Sequence, residues 1–204
     1  MNDYQSEQLN TLLKVSKVME TLTQKRLADL RHMIGPYMDF RKETDAFLEE
    51  YFGGICTQNC YKNNVSACCS KDGIVTFFAD HAVNALFSDR KDFTELEMRL
   101  KDLNNGFKCI YLGENGCVWK VRPIVCVMFL CDAALQEAFN GNESAKTAWQ
   151  AIEEKKKEFT WPDKPVLFDT LEAIFMEMGV DSSLMYCHKS PGLIRVKKIA
   201  GRKP

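Results

Sequence analysis

The stretch Cys109-Ile110-Tyr111-Leu112-Gly113-Glu114-Asn115-Gly116-Cys117-Val118-Trp119-Lys120-Val121-Arg122-Pro123-Ile124-Val125-Cys126-Val127-Met128-Phe129-Leu130-Cys131 decides how this chain is read. Two short apolar runs, 109–112 and 117–121, flank Gly113-Glu114-Asn115-Gly116, a pattern that predicts a small β-hairpin. Pro123 then suits the first turn of a helix, where its missing amide hydrogen is no loss, and the pattern predicts a helix from Ile124 to Phe139 that stops at Asn140-Gly141. Four cysteines punctuate the stretch with the spacing Cys109-x7-Cys117-x8-Cys126-x4-Cys131.

A second group lies upstream as Cys56-x3-Cys60-x7-Cys68-Cys69, so eight of the nine cysteines fall in two sets of four. Thiolates bind soft or borderline ions such as zinc or iron, and four of them complete a tetrahedral zinc site or the ligand set of an iron–sulfur cluster. All eight are therefore candidate metal ligands. Neither spacing is the C-x2-C pair of a zinc ribbon or the cysteine run of a bacterial ferredoxin. Cys126 and Cys131, five apart on one predicted helix, would point about 140° apart around its axis. The side chains of adjacent Cys68 and Cys69 diverge as well, so the two groups can mix their ligands, in one centre or two. A tetrathiolate zinc site and an oxidised four-iron cluster both carry net negative charge, and Lys62, Lys71, Lys108, Lys120 and Arg122 flank the cysteines as possible counter-charges. Arg122 is a candidate to donate hydrogen bonds to a thiolate, or to hold the hairpin against the following helix. Cys187, beside His188, stands outside both groups and reads as a structural or spare thiol.

Upstream, Leu9, Leu12, Leu13, Val18, Met19, Leu22, Leu27, Leu30 and Met33 keep three- and four-residue spacing, which predicts one long amphipathic helix from about Ser6 to Met33. Gly35-Pro36 ends it, and a second helix follows from Tyr37 to Phe52. Gly53-Gly54 is expected to break that helix and open a loop of some 18 residues holding the first cysteine group, a length that calls for something such as a metal to order it. Asp72 can cap a helix over 73–87 with an apolar stripe, on which His81 reads as a satisfied or surface histidine. Further helices are predicted at 92–103, 143–159 and 165–178, with a basic tail from Ser190.

The 204 residues, 46% hydrophobic, can fill the core of one domain. With 27 basic and 28 acidic residues the formal charge is -1, which offers no global field for nucleic acid or an anionic membrane, so neither is expected as a partner. The polar N-terminus lacks a signal-peptide pattern, and no apolar run approaches the length of a membrane span, so a cytoplasmic location is expected. A reducing compartment favours metal over disulfides; in a secreted chain, four bridges and a spare thiol would be the competing arrangement.

The quoted stretch, preceded by a cluster ending in Cys68-Cys69, resembles the YkgJ-type cysteine-cluster family, described as zinc- or iron-chelating. The likeness covers about residues 56–131 and rests on the Gly-Cys, Arg-Pro and final cysteine arrangement. It implies that the eight matching cysteines are ligands, and a related domain in flagellin lysine methylases implies an iron–sulfur alternative. The gap before Cys68-Cys69 is longer than in the compact family pattern, and Leu130 stands where many members carry proline.

The expected fold is mainly α: a compact helical domain with a small β-hairpin and long, cysteine-rich, metal-ordered loops. It is divided into an N-terminal helical segment (1–52), a cysteine-cluster domain (53–134) and C-terminal helices with a basic tail (135–204), packing as one globular unit. The expected function is metal binding, with a zinc or iron ion or an iron–sulfur cluster as cofactor. The alternatives are an iron–sulfur enzyme or accessory protein in redox or methyl-transfer chemistry, and a metal-stabilised interaction module that docks a partner on its first helix. No Gly-rich nucleotide loop, catalytic triad pattern or metal-binding histidine pair points independently to an enzyme.

Overall fold

The computed structural model describes residues 3–58, 75–103, 106, 108–113, 116–160 and 166–185. These form helices α1 (Asp3–Thr21), α2 (Gln24–Met33), α3 (Gly35–Cys56), α4 (Phe78–Phe87) and α5 (Arg90–Lys101), then strands β1 (Leu112–Gly113) and β2 (Gly116–Cys117). Helices α6 (Ile124–Met128), α7 (Asp132–Phe139), α8 (Glu143–Thr160) and α9 (Leu167–Glu177) follow. The protein is mainly helical with one small antiparallel hairpin, as the periodicity indicated.

Several expected helix boundaries are corrected. The single helix over 6–33 is two, because Thr23 adopts extended backbone and its side chain accepts the Arg26 amide hydrogen at 3.2 Å, starting α2 afresh. Local capping thus overrides a periodicity that runs on across the break. Gly53-Gly54 does not end α3, which continues to Cys56. Each helical glycine costs roughly 0.5–1 kcal/mol relative to alanine, but Phe52 is fully buried and Ile55 and Cys56 pack on the main core, so tertiary burial outweighs that cost. The helix expected over 124–139 is interrupted: Phe129 turns extended, Cys131 is the extended residue immediately before α7, and Asp132 lies in the first turn of α7, where its charge suits the helix dipole. Pro123 sits at the entry to α6; Ile34 alone separates α2 from α3, and Gly35-Pro36 forms the first turn of α3, two residues before the expected start at Tyr37. Helix α4 starts at Phe78 and not at 73, residues 75–77 being non-helical.

Helix α4 is the structural centre. Residues 78–86 are all buried, and α4 packs against α1, α2 and α9. The largest core draws on α2, α3, α4, α6, α7, α8 and α9, with Tyr37, Phe40, Phe159 and Phe168 joined by ring contacts of 5.2–6.3 Å. It therefore draws residues from all three stretches into which the chain was divided. A second core gathers Leu9 and Leu12 of α1, Leu96 and Leu100 of α5, and Ile110, Tyr111 and Trp119 around the hairpin. A third joins Val15 to Phe78, Ala82, Phe175 and Met185. Burying each large apolar side chain is worth about 1.5–3 kcal/mol. Leu9, Leu12 and Val15 of α1 are thus held in the interior, while Leu13 is exposed.

The hairpin is shorter than expected, with Leu112 opposite Cys117 and Gly113 opposite Gly116. Gly116 has φ +107°, a conformation that side chains rarely adopt. Substituting Gly116→Ala is expected to cost about 1–3 kcal/mol in urea unfolding, from backbone strain alone, because no neighbouring atom lies within 4 Å of the added carbon. A cost below a few tenths of a kcal/mol would show that the turn relaxes without glycine.

Candidate metal centre

Five of the eight candidate cysteines lie among the described residues, each half-buried, and no disulfide joins any two of them. Cys60, Cys68 and Cys69 lie outside the described residues, as do Asp72, Cys187, His188 and the basic tail. Cys56 is the last residue of α3 and Cys131 immediately precedes α7; both pack against the large core. Cys109 and Cys117 pack instead against the hairpin core, with Tyr4, Phe93 and Val118. Cys126 lies in α6, so Cys126 and Cys131 do not share a helix, and the 140° argument for their divergence no longer applies.

The Tyr4 hydroxyl donates to that of Tyr111 at 3.3 Å. Burial pushes both phenols above their ordinary range. Smaller contributions in the same direction come from Cys109 and Cys126 at Tyr4, and from Cys109 and Cys117 at Tyr111. Three thiols of the second group therefore lie within electrostatic reach of one phenol pair. Among the described residues, no three His, Cys, Asp or Glu side chains come together as a metal-sized group. The chemistry of the donors still suits a soft ion: these thiols are half-buried at element ends and around a hairpin, not sealed inside an apolar core.

The Arg122 side chain reaches toward α3. Its guanidinium pairs with Asp45 of α3 at 3.6 Å, with both side chains about half-exposed. It thus ties the hairpin-to-α6 connection to α3, and Arg122→Ala is expected to change unfolding free energy by about 0.5 kcal/mol or less, as half-exposed pairs do. Loss of bound metal from this variant would instead assign Arg122 to the thiolates. A cation not anticipated from the sequence is Arg99 of α5, which lines two clefts, one with Cys117 and Lys120 and the other with Cys109 and Lys108. Its Nη2 lies 3.3 Å from where a Cβ on Gly113 would stand, so glycine there lets the guanidinium approach the hairpin backbone.

Behind the thiols lies a buried polar network. The side-chain oxygen of Gln8 accepts from Thr76 at 2.7 Å and Tyr111 at 3.3 Å, and lies 2.8 Å from His81 Nε2. Burial holds the pKa of His81 down to about 3, so the ring is neutral, and with Nε2–H donating to Gln8 the bare Nδ1 has no hydrogen-bond partner among the described residues. The His81 ring meets Trp119 at 4.8 Å, and Trp119 meets Tyr111 at 5.4 Å. Asp80, also fully buried, has its pKa raised to about 6 by burial, against the lowering effect of amide hydrogen bonds from Phe77 and Ile124 and the charge of Arg41. The signal for these residues was present as three polar positions, Asp80, His81 and Asn84, on a helix whose every other residue is apolar.

Set against known families, curated proteins and solved structures, the chain matches none of them. The resemblance to YkgJ-type proteins accordingly rests on the cysteine, Gly-Cys and Arg-Pro pattern alone. Among the described residues, no helix is long and apolar enough to cross a membrane.

Proposed function

We propose that this chain is a metal-binding protein that chelates zinc or iron, as an ion or an iron–sulfur cluster, through Cys56, Cys60, Cys68, Cys69, Cys109, Cys117, Cys126 and Cys131. The observation that carries this reading is that Cys109, Cys117 and Cys126 all lie within electrostatic reach of the hydrogen-bonded Tyr4–Tyr111 pair, on a hairpin and a short helix with little regular structure of their own. Segments so poor in secondary structure gain folding free energy when thiolates close on a metal. In the two clefts beside Cys117 and Cys109, the cations Arg99, Lys108 and Lys120 are interleaved with Asp92, Glu95 and Asp102, so this surface offers a thiolate centre hydrogen-bond donors and not a net positive field.

The test is oxygen-free purification followed by elemental analysis and visible absorption spectroscopy. Stoichiometric zinc or iron is expected, with loss of order in the cysteine-bearing segments, and not of the helical core, on adding a chelator. Broad visible absorption identifies a cluster, and a colourless zinc protein excludes one. A metal-free protein that is fully folded ends this reading.

A further inference from the structure

The connection from Cys117 of β2 to Cys126 of α6 has almost no regular structure before α6 begins, so its backbone polar groups must find partners elsewhere. Three side chains distant in sequence provide them within four consecutive residues. Asn84 Oδ1 accepts the Val121 amide hydrogen at 2.9 Å, Arg41 Nη1 donates to the Arg122 carbonyl at 2.7 Å, and Asp80 Oδ1 accepts the Ile124 amide hydrogen at 3.2 Å. All three are at least 96% buried, as are Trp119 and Ile124 in the connection itself. Arg41 is further held by the Tyr37 hydroxyl at 3.3 Å, and Asp80 by the Phe77 amide at 2.9 Å. The clamps are therefore fixed by the core of the protein.

We propose that Asn84, Arg41 and Asp80 are positioning residues for the cysteine site, clamping residues 121–124 so that Cys117 and Cys126 are presented at one fixed separation. This rests on the metal-binding reading above. A metal with a tetrahedral preference penalises misplaced ligands, so releasing the connection weakens binding and distorts coordination even where the fold survives.

The experiment uses the full chain as wild type, Asn84→Ala, Arg41→Met, and Ile152→Val as a core control remote from the connection. Zinc affinity is measured by competition with a chromophoric chelator, coordination by the visible spectrum of the cobalt(II)-loaded protein, and stability by urea unfolding of the metal-free form. Asn84→Ala and Arg41→Met are expected to weaken zinc binding by about 10–100-fold and to alter the cobalt spectrum, while Ile152→Val lowers stability and leaves both metal readouts unchanged. Asn84→Ser, whose hydroxyl is too short to replace the amide oxygen, takes the place of Asn84→Ala if that variant does not fold. Wild-type affinity and spectrum in the Asn84 and Arg41 variants overturn the proposal and leave the metal-binding reading standing. A wild-type protein that takes up neither zinc, cobalt nor iron overturns both.

Discussion

Cys117→Ser is expected to remove most of the bound metal and with it the part of the stability that the metal supplies. Serine is close in size to cysteine and is tolerated at the β2 position opposite Leu112, so the hairpin itself loses little. What is lost is a soft, anionic ligand for which a hydroxyl is no substitute. Structural zinc sites contribute on the order of 10 kcal/mol of apparent binding free energy in small zinc-binding peptides, so even partial loss exceeds an ordinary surface mutation. The result should show as a gap between two measurements. With metal present, wild type should unfold at a much higher urea concentration than Cys117→Ser; with metal stripped, their midpoints should coincide, because ligand binding stabilises only the protein that binds it. Equal midpoints under both conditions, together with full metal content, would remove Cys117 from the ligand set. Cys109→Ser and Cys126→Ser are expected to behave alike, because both thiols belong to the same group of candidate ligands.

The adjacent buried residues Asp80 and His81 should make stability nearly independent of pH between about 4 and 6 as far as this pair is concerned, through two opposed effects. Asp80 holds its proton more tightly in the folded state, near pH 6 against an ordinary 3.8. Its contribution is complete below the ordinary value and is lost as the pH rises through about 6. His81 has the reverse sign: its folded value is about 3 against an ordinary 6.5, so its contribution is complete above 6.5 and is lost as the pH falls toward 3. Each group alone gives a slope of about 1.4 kcal/mol per pH unit where its proton occupancy differs fully between folded and unfolded chains. Within the shared window folding in effect moves a proton from histidine to aspartate, and the slopes cancel. Relative to wild type, His81→Gln should gain about 2–3 kcal/mol as the pH falls from 6 to 4, and Asp80→Asn should lose a similar amount. Urea unfolding at four pH values checks both; thiol protonation and surface carboxylates are common to the three proteins and drop out of the differences. Parallel pH profiles for all three would show that neither group titrates abnormally in the fold.

The sequence carries most of the helices because burying one face at intervals of three and four residues leaves a pattern that survives without knowledge of partners. The spans 90–101, 143–160 and 167–177 follow that pattern closely. The pattern misleads where a local rule and a tertiary contact compete. Thr23 stops a periodic run by capping, whereas Gly53-Gly54 fails to stop one because Phe52 and Ile55 are anchored in the core. At Phe129–Cys131 the chain leaves helical geometry within an apolar run that contains no breaker, and nothing in its composition announces the turn.

The candidate ligands follow from the sequence alone, since the affinity of thiolates for soft metals is a property of the side chain and eight cysteines in two groups are a composition that a reduced core does not need. The surroundings of those ligands do not follow from it. That Arg122 turns to Asp45 while Arg99 comes to the hairpin, and that Gln8, Arg41, Asp80, His81 and Asn84 are buried around residues 111–124, depends on contacts between residues 14 to 103 positions apart. Such contacts form only when α1, α3 and α4 are packed together. The free energy that keeps a polar side chain inside comes from the hydrogen-bonding partner it meets there, and the sequence around that side chain does not specify the partner.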